Sequence, residues 1–265
     1  MKIKILYEDS NILAIDKPSG ILVHPDQKSK EKTILDLFLK KYPKIEIVHR
    51  LDKETSGVML LAKNKKTYEF LKSQFSAPAL EIAQGGLADR QNRIKKTYIA
   101  IVNGWVKNDH GIINKPIGRS PKDFRRHLAG RGVRGELREA ITEYKVLKRF
   151  ELEAEDCNFF YARGSQPVLG EGRSAKKNYN APLKFSYLEI HPKTGRTHQI
   201  RVHMKYLNHP VVCDSLYNPK GACPLGLNRL ALHAKSIEFK NLKGKIVKVE
   251  SPLPKKFKKL VDVAG

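Results

Sequence analysis

The segment His49-Arg-Leu-Asp-Lys-Glu-Thr-Ser-Gly57 sets one carboxylate, Asp52, against apolar neighbours and two basic groups. Gly57 opens the apolar run Val58-Met59-Leu60-Leu61-Ala62, the pattern of a strand buried on both faces. A carboxylate at the mouth of a buried strand loses hydration, which is tolerable only where cations or hydrogen bonds offset the loss. Arg50 and the nearby hydroxyls are the local candidates. This arrangement suits an ionised Asp that acts on a substrate. An Asp that caps a turn and pairs with Arg50 is the plainer alternative.

A second cluster runs Thr194-Gly-Arg-Thr-His-Gln-Ile-Arg-Val-His203. Gly195 permits a sharp turn, and Thr197 is placed to cap the helix that follows. The N–H groups at that helix start, with Arg196 and Arg201, would make an anion site. His198 and His203 lack the intervening Glu of a zinc-protease helix. Packing is their ordinary fate, and acid–base chemistry is the sharper alternative. Tyr98, in Lys95-Lys-Thr-Tyr-Ile-Ala-Ile-Val102, lies on an expected strand as a packing residue or as a ring for a base to stack on. Gly130-Arg-Gly-Val-Arg-Gly135 matches a dinucleotide fingerprint in letters only, because Phe124-Arg-Arg-His-Leu128 before it is not a strand signal. No phosphate-cradling G-x-x-x-x-G-K-[ST] loop occurs.

The elements that must position these residues are mostly strands. Lys2–Tyr7, Ile12–Ile15, Thr97–Val102, Ile141–Leu147, Phe185–His191, Leu230–Ala234 and Ile246–Glu250 carry the pattern. Helical periodicity appears at Thr33–Tyr42, Lys65–Phe75, Gln199–Leu207 and Lys256–Val263, with Arg201 off the apolar stripe of its helix. Lys255, Lys256, Lys258 and Lys259 read as a solvated helix face, and Lys17-Pro-Ser-Gly20 as a rigid turn. Many strands with few helices give an α+β fold on a mixed, mainly antiparallel central sheet with flanking helices. The expectation is a single domain over 1–265 with loop insertions near 76–93, 118–135 and 162–181.

The chain holds 51 Lys and Arg against 27 acids, a formal net charge of +24. Such an excess calls for a polyanion, and nucleic acid is the expected one. No apolar stretch reaches spanning length, so no membrane partner is expected. Cys157, Cys213 and Cys223 are odd in number and form no C-x-x-C pair. They read as reduced thiols of a cytoplasmic protein, with no disulfide framework and no metal site.

Taken together, these pieces resemble the RluA family of pseudouridine synthases. The match is carried by Lys17-Pro18, Val23-His24-Pro25, His49 to Gly57, Lys96-x-Tyr98, Pro192 to His203, Pro210 to Tyr217 and Arg229-Leu-Ala-Leu-His-Ala234, in the family's order. The resemblance implies the pseudouridine synthase fold with a catalytic cleft, no cofactor and no metal, and RNA (rRNA, tRNA or both) as partner. It further implies Asp52 as the essential carboxylate and Tyr98 as the ring stacked on the target uracil. Arg201 would be the cation paired with Asp52, and Arg50 the side chain that fills the place of the flipped uridine. The resemblance further leads to the expectation of a single-domain member without an N-terminal S4-type domain, a monomer without protein partners. Cys213 departs from the family by standing where Gly usually precedes the Asp of the Pro210–Tyr217 block. The competing functions are a non-catalytic RNA-binding or ribosome-assembly factor on the same fold, and an RNA hydrolase using His198 and His203.

Overall fold

A computed structural model of the chain describes residues 3–25, 31–76, 93–159, 182–224 and 226–263. The insertions expected near 76–93 and 162–181 lie outside the described residues, except for the end residues of the first. From the N-terminus come β1 (Lys4–Glu8), β2 (Ile12–Lys17), α1 (Ile34–Leu39), β3 (Glu46–Ile47), β4 (Ser56–Ala62), α2 (Lys65–Ser76) and β5 (Lys95–Asn103). Next are β6 (His110–Asn114), β7 (Ile117–Arg119), β8 (His127–Ala129), β9 (Arg134–Arg138), β10 (Ile141–Leu152), β11 (Cys157–Phe159) and β12 (Leu183–Pro192). The chain ends with α3 (Gln199–Tyr206), β13 (Ala222–Pro224), β14 (Leu232–Lys240), β15 (Ile246–Glu250) and α4 (Lys255–Val263). Contacts divide it into two compact units, one of Met1–Tyr98 with His233–Pro252 and one of Ile99–Leu232 with Leu253–Gly265.

The first unit is built around β4, whose seven residues are all buried, as the unbroken apolar run predicts. Its neighbours are β2, antiparallel, and β14, parallel, so the sheet is mixed. β1 extends it beside β2, and β15 pairs with β14. Leu60, Leu61 and Met59 are fully buried, each contributing roughly 2 kcal/mol relative to exposure. Helix α1 starts at a capping box in which Thr33 and Asp36 satisfy each other's backbone N–H groups, and it buries Ile34 and Phe38. Gly57 has φ +114°, and a Cβ there would run into the backbone of Ala234, its partner on β14. Only glycine permits that strand pairing.

In the second unit β10 pairs antiparallel with β12 along Thr142–Leu152 and with β6 along Ile141–Lys145. Residues 118–135, expected as a loop insertion, instead contribute to a separate antiparallel sheet in the order β8-β7-β9. Two of its strands are only three residues long and β9 is exposed along its whole length, so no alternation marks them. Gly130, Gly132 and Gly135 all have positive φ. The fingerprint-like glycines therefore serve the passage from β8 into β9 and open no helix. On α4, Phe257 is buried and the four lysines are exposed, as expected of a solvated face.

The thiol expectation needs correction. Cys213 and Cys223 form a disulfide with their Cα atoms 5.0 Å apart, and Cys157 alone is a free, buried thiol. Ten residues separate the pair, a spacing that no counting rule flags, and a turn folds them together. Burial, helped by the Asp156 carboxylate, pushes the Cys157 thiol up to about 12. Cys213 itself has φ +55°, the conformation for which glycine is the natural choice at that place.

Candidate active site

The turn bearing Asp52 precedes β4 and is fixed from beneath by Lys17, the last residue of β2. The Lys17 side chain is completely buried. Its ammonium donates to the carbonyl oxygens of Pro18 (3.1 Å), Asp52 (3.2 Å), Lys53 (3.0 Å) and Thr55 (2.8 Å). The Thr55 N–H closes the turn on the Asp52 carbonyl at 3.1 Å. Ser19 Oγ donates to the Glu54 carbonyl at 2.6 Å, and the Gly20 N–H to that of Lys53 at 2.8 Å. The backbone under Asp52 is thus held by the Lys17-Pro-Ser-Gly20 end of the expected rigid turn. The Thr55 hydroxyl, also buried, finds no hydrogen-bond partner among the described residues.

Asp52 is half-buried, as is Tyr98, which β5 brings into the same unit. The two lie within electrostatic reach. Burial raises the Tyr98 hydroxyl pKa well above its ordinary value, and the negative charge of Asp52 raises it further. Two residues back along β5, and so on the same face, burial and the neighbouring Arg93 lower Lys96 to about 8. His49 accepts the Leu60 N–H on Nε2 (2.9 Å) and stacks on Phe75 with ring centres 4.7 Å apart. Burial, with the Lys96 charge behind it, lowers His49 to about 3 and keeps it neutral. Arg50 is exposed. Its charge adds to burial in lowering the pKa of His24, so its guanidinium lies toward the His24 turn. Ser56 Oγ and His233 Nδ1 share a buried hydrogen bond of 2.8 Å, joining the starts of β4 and β14.

In the second unit Arg201 is the buried centre of a clamp. Its Nε and Nη2 donate to Asp214 Oδ2 and Oδ1, both at 2.7 Å, with the two side chains 4% and 0% exposed. Asp214 Oδ1 also accepts the N–H groups of Leu216 (3.0 Å) and Tyr217 (2.9 Å). The Tyr217 ring lies 5.1 Å from the guanidinium carbon. The Tyr217 hydroxyl accepts the His127 N–H (2.9 Å) and bonds His198 Nδ1 (3.0 Å). A bidentate pair with a ring beside it fixes both the place and the plane of a guanidinium. Asp214 was not singled out from sequence, and its place in the Pro210–Tyr217 block was the only available signal.

Two expectations for the Thr194–His203 segment fail. Thr197 is not the helix cap; α3 begins at His198, a residue with φ +55° and no capping side chain. The turn is held by Gln199 instead. Its Oε1 accepts the Thr194 hydroxyl (2.6 Å) and the Arg196 N–H (3.0 Å), and its amide donates to Ile141 O and Thr142 Oγ1. Gln199 takes the Arg196 backbone N–H and Asp214 takes the Arg201 guanidinium, so neither of these two groups serves the anion site expected at the helix start. His203 is fully buried, donates from Nε2 to Lys115 O (2.9 Å) and meets the Thr142 hydroxyl at Nδ1 (2.8 Å). Burial lowers its pKa. A neutral imidazole with both nitrogens engaged is a packing residue, which removes the ground for a His198–His203 acid–base pair.

Comparison with known proteins bears on these motifs. The family model described as RNA pseudouridylate synthase matches residues 11–206. The chain belongs to the RNA pseudouridylate synthase family. A ribosomal large subunit pseudouridine synthase D of Borreliella burgdorferi is 34% identical, over 96% of this chain and 66% of that protein. An uncharacterised RNA pseudouridine synthase of Bacillus subtilis is 32% identical, over 98% of this chain and 71% of its own length. The chain thus spans about two thirds of such relatives. Human RNA pseudouridylate synthase domain containing 1 shares the fold, with a TM-score of 0.64 over 96% of this chain and 84% of that one, at 23% identity. Among the described residues no helix is long and apolar enough to cross a membrane.

Proposed function

We propose that the protein isomerises uridines in RNA to pseudouridine, with Asp52 as the essential carboxylate. The reaction breaks the bond from uracil N1 to ribose C1′, turns the ring, joins C5 to C1′ and releases the C5 proton. It is redox-neutral and needs no energy input. It does need an acid residue acting at the sugar and a surface that keeps the detached ring. Asp52 supplies the first and Tyr98, beside it, the second. Exposed Arg50 enters the RNA where the uridine leaves, and Arg201, which Asp214 holds, is the cation that the resemblance assigns to the reaction. Extrusion of the uridine costs a few kcal/mol and is cheapest in loops or weakly paired sites. The net charge of +24 offsets it through phosphate contacts, so binding falls steeply with salt.

The observation that carries this reading is the pairing of a half-buried Asp52, on a turn pinned by Lys17, with Tyr98 in a chain of this family. The names of the relatives make large-subunit ribosomal RNA the first substrate to test. RNA carrying tritium at uracil C5 tests it directly. Wild-type protein should release the label without cutting the strand. Asp52→Asn should release none while binding RNA within about threefold of wild type, since the isostere keeps the turn. Label release by Asp52→Asn at near wild-type rate, or strand scission in place of release, would overturn the assignment.

A further inference from the structure

The β8-β7-β9 sheet and the Gly195-Arg-Thr197 turn enclose a cleft of about 630 Å³ in the second unit. Its wall carries Arg119, Arg134, Arg138 and Arg196 against a single carboxylate, Glu136. Glu136 already pairs with Arg138 at 3.1 Å. None of Arg50, Asp52, Tyr98 and Arg201 lines it. Arg196 also donates from Nε to the Glu139 carbonyl oxygen at 2.8 Å. Four arginines against one acid still leave this concave surface with an excess of positive charge that an anion would relieve.

At the mouth stands Phe124, 81% exposed. The turn under it is tightly made. Asp123 accepts from the N–H, Nε and Nη2 of Arg125 at 3.0, 3.0 and 2.8 Å, and its carboxylate lies 3.5 Å from Arg126 Nε. The Ser120 N–H donates to the Arg126 carbonyl at 2.9 Å, closing the turn's base. An aromatic ring 81% exposed on an ordered turn, in a cleft wall with four arginines, has the composition of a stacking platform within a phosphate-binding groove. A protein partner would call for acidic side chains and a broader apolar surface. A nucleotide asks for one flat ring and several guanidinium groups.

We propose that this cleft binds an unpaired nucleotide of the RNA, its base stacked on Phe124 and its flanking phosphates held by Arg119, Arg134, Arg138 and Arg196. The proposal rests on the reading of the protein as an RNA-modifying enzyme and adds a second point of contact with the strand. The cleft also touches the clamp. His127 in its wall meets His198 edge-on with ring centres 5.8 Å apart, and His198 bonds the Tyr217 hydroxyl beside Arg201. A seated nucleotide therefore bears on the residues that orient Arg201.

The test compares a short unpaired RNA with a blunt RNA duplex of equal length, for wild type, Phe124→Ala, Phe124→Trp and Arg134→Glu. Lys243→Glu, on an exposed turn of the other unit, controls for charge. Phe124→Ala should weaken single-strand binding about tenfold, the size of one lost base–aromatic stack, and leave duplex binding nearly unchanged. Phe124→Trp should restore it. Arg134→Glu should lower the slope of log affinity on log salt by about 0.7, one single-strand phosphate contact, and Lys243→Glu should not. Single-strand affinity of Phe124→Ala and Arg134→Glu within about twofold of wild type would overturn the proposal. So would equal losses on both RNAs, because a duplex offers no unstacked base. Tritium release by the wild type reports separately on the reaction: release with no Phe124 effect sinks the cleft alone, and a Phe124 effect without release sinks the enzymatic reading alone.

Discussion

Among the described residues each unit has one Lys or Arg side chain that is almost fully buried, Lys17 in the first and Arg201 in the second, and the two are used differently. Lys17 directs its ammonium at main-chain carbonyl oxygens and so fixes the backbone on which Asp52 rides. Arg201 is itself the group to be fixed, and a carboxylate grips its side chain in two places. A compact, rotatable ammonium suits several carbonyls at mixed angles; a planar fork suits one carboxylate. The first plan fixes the backbone that carries the acid. The second holds the side chain itself in one orientation.

The difference sets the size of the expected effects. Asp214→Ala leaves a buried guanidinium without its paired carboxylate and orphans the N–H groups of Leu216 and Tyr217. It should cost about 3–5 kcal/mol in urea unfolding. Asp214→Asn, which keeps an acceptor, should lose less. A loss under about 1 kcal/mol for the alanine variant would show that another acceptor carries the charge. Lys17→Met keeps the bulk and removes the donor from four carbonyl oxygens. Carbonyls near a turn can turn partly to water, so the stability loss should be smaller, about 2–3 kcal/mol. Activity measured where the variant is fully folded should still fall about a hundredfold, because the platform under Asp52 loosens. Full activity of folded Lys17→Met would break the claim that this cation positions the acid.

The same contrast explains what could be read from the chain. Val58–Ala62 was legible as a doubly buried strand because burial writes itself into every position of the run. The turn that carries Asp52 and the strand that carries Tyr98 were legible because each sits inside a local motif. The Arg201–Asp214 clamp was not, because sequence placed Arg201 off an apolar stripe and the resemblance paired it with Asp52, so nothing pointed to Asp214. The burial of Arg201 depends on a carboxylate delivered by a separate turn. Cys213 shows the same limit: its departure from glycine was visible in the chain, whereas its bond to Cys223 needed the turn to be folded. The β8-β7-β9 sheet escaped notice because β7 and β8 are too short to show a period and β9 is exposed throughout. Local pattern records which side chains are buried along an element, and long-range polar pairing leaves no such record.

The smallest effect tests the first unit through pH. His49 accepts a backbone N–H from β4 and is lowered from 6.5 to about 3 by burial and by Lys96. Between those two values an unfolded chain takes up a proton at this residue that the folded protein refuses. Falling pH therefore favours unfolding across that window, and above pH 6.5 the term vanishes. With partial solvent screening it should amount to roughly 1–2 kcal/mol between pH 7 and 4.5. His49→Gln keeps an acceptor for the Leu60 N–H and does not titrate. Its unfolding midpoint should decline less than that of wild type over the same range, with the two curves nearly parallel above pH 7. Equal acid slopes would mean that His49 is protonated in the folded protein. Its hold on β4, immediately after the Asp52 turn, would then have to be rebuilt around a charged ring.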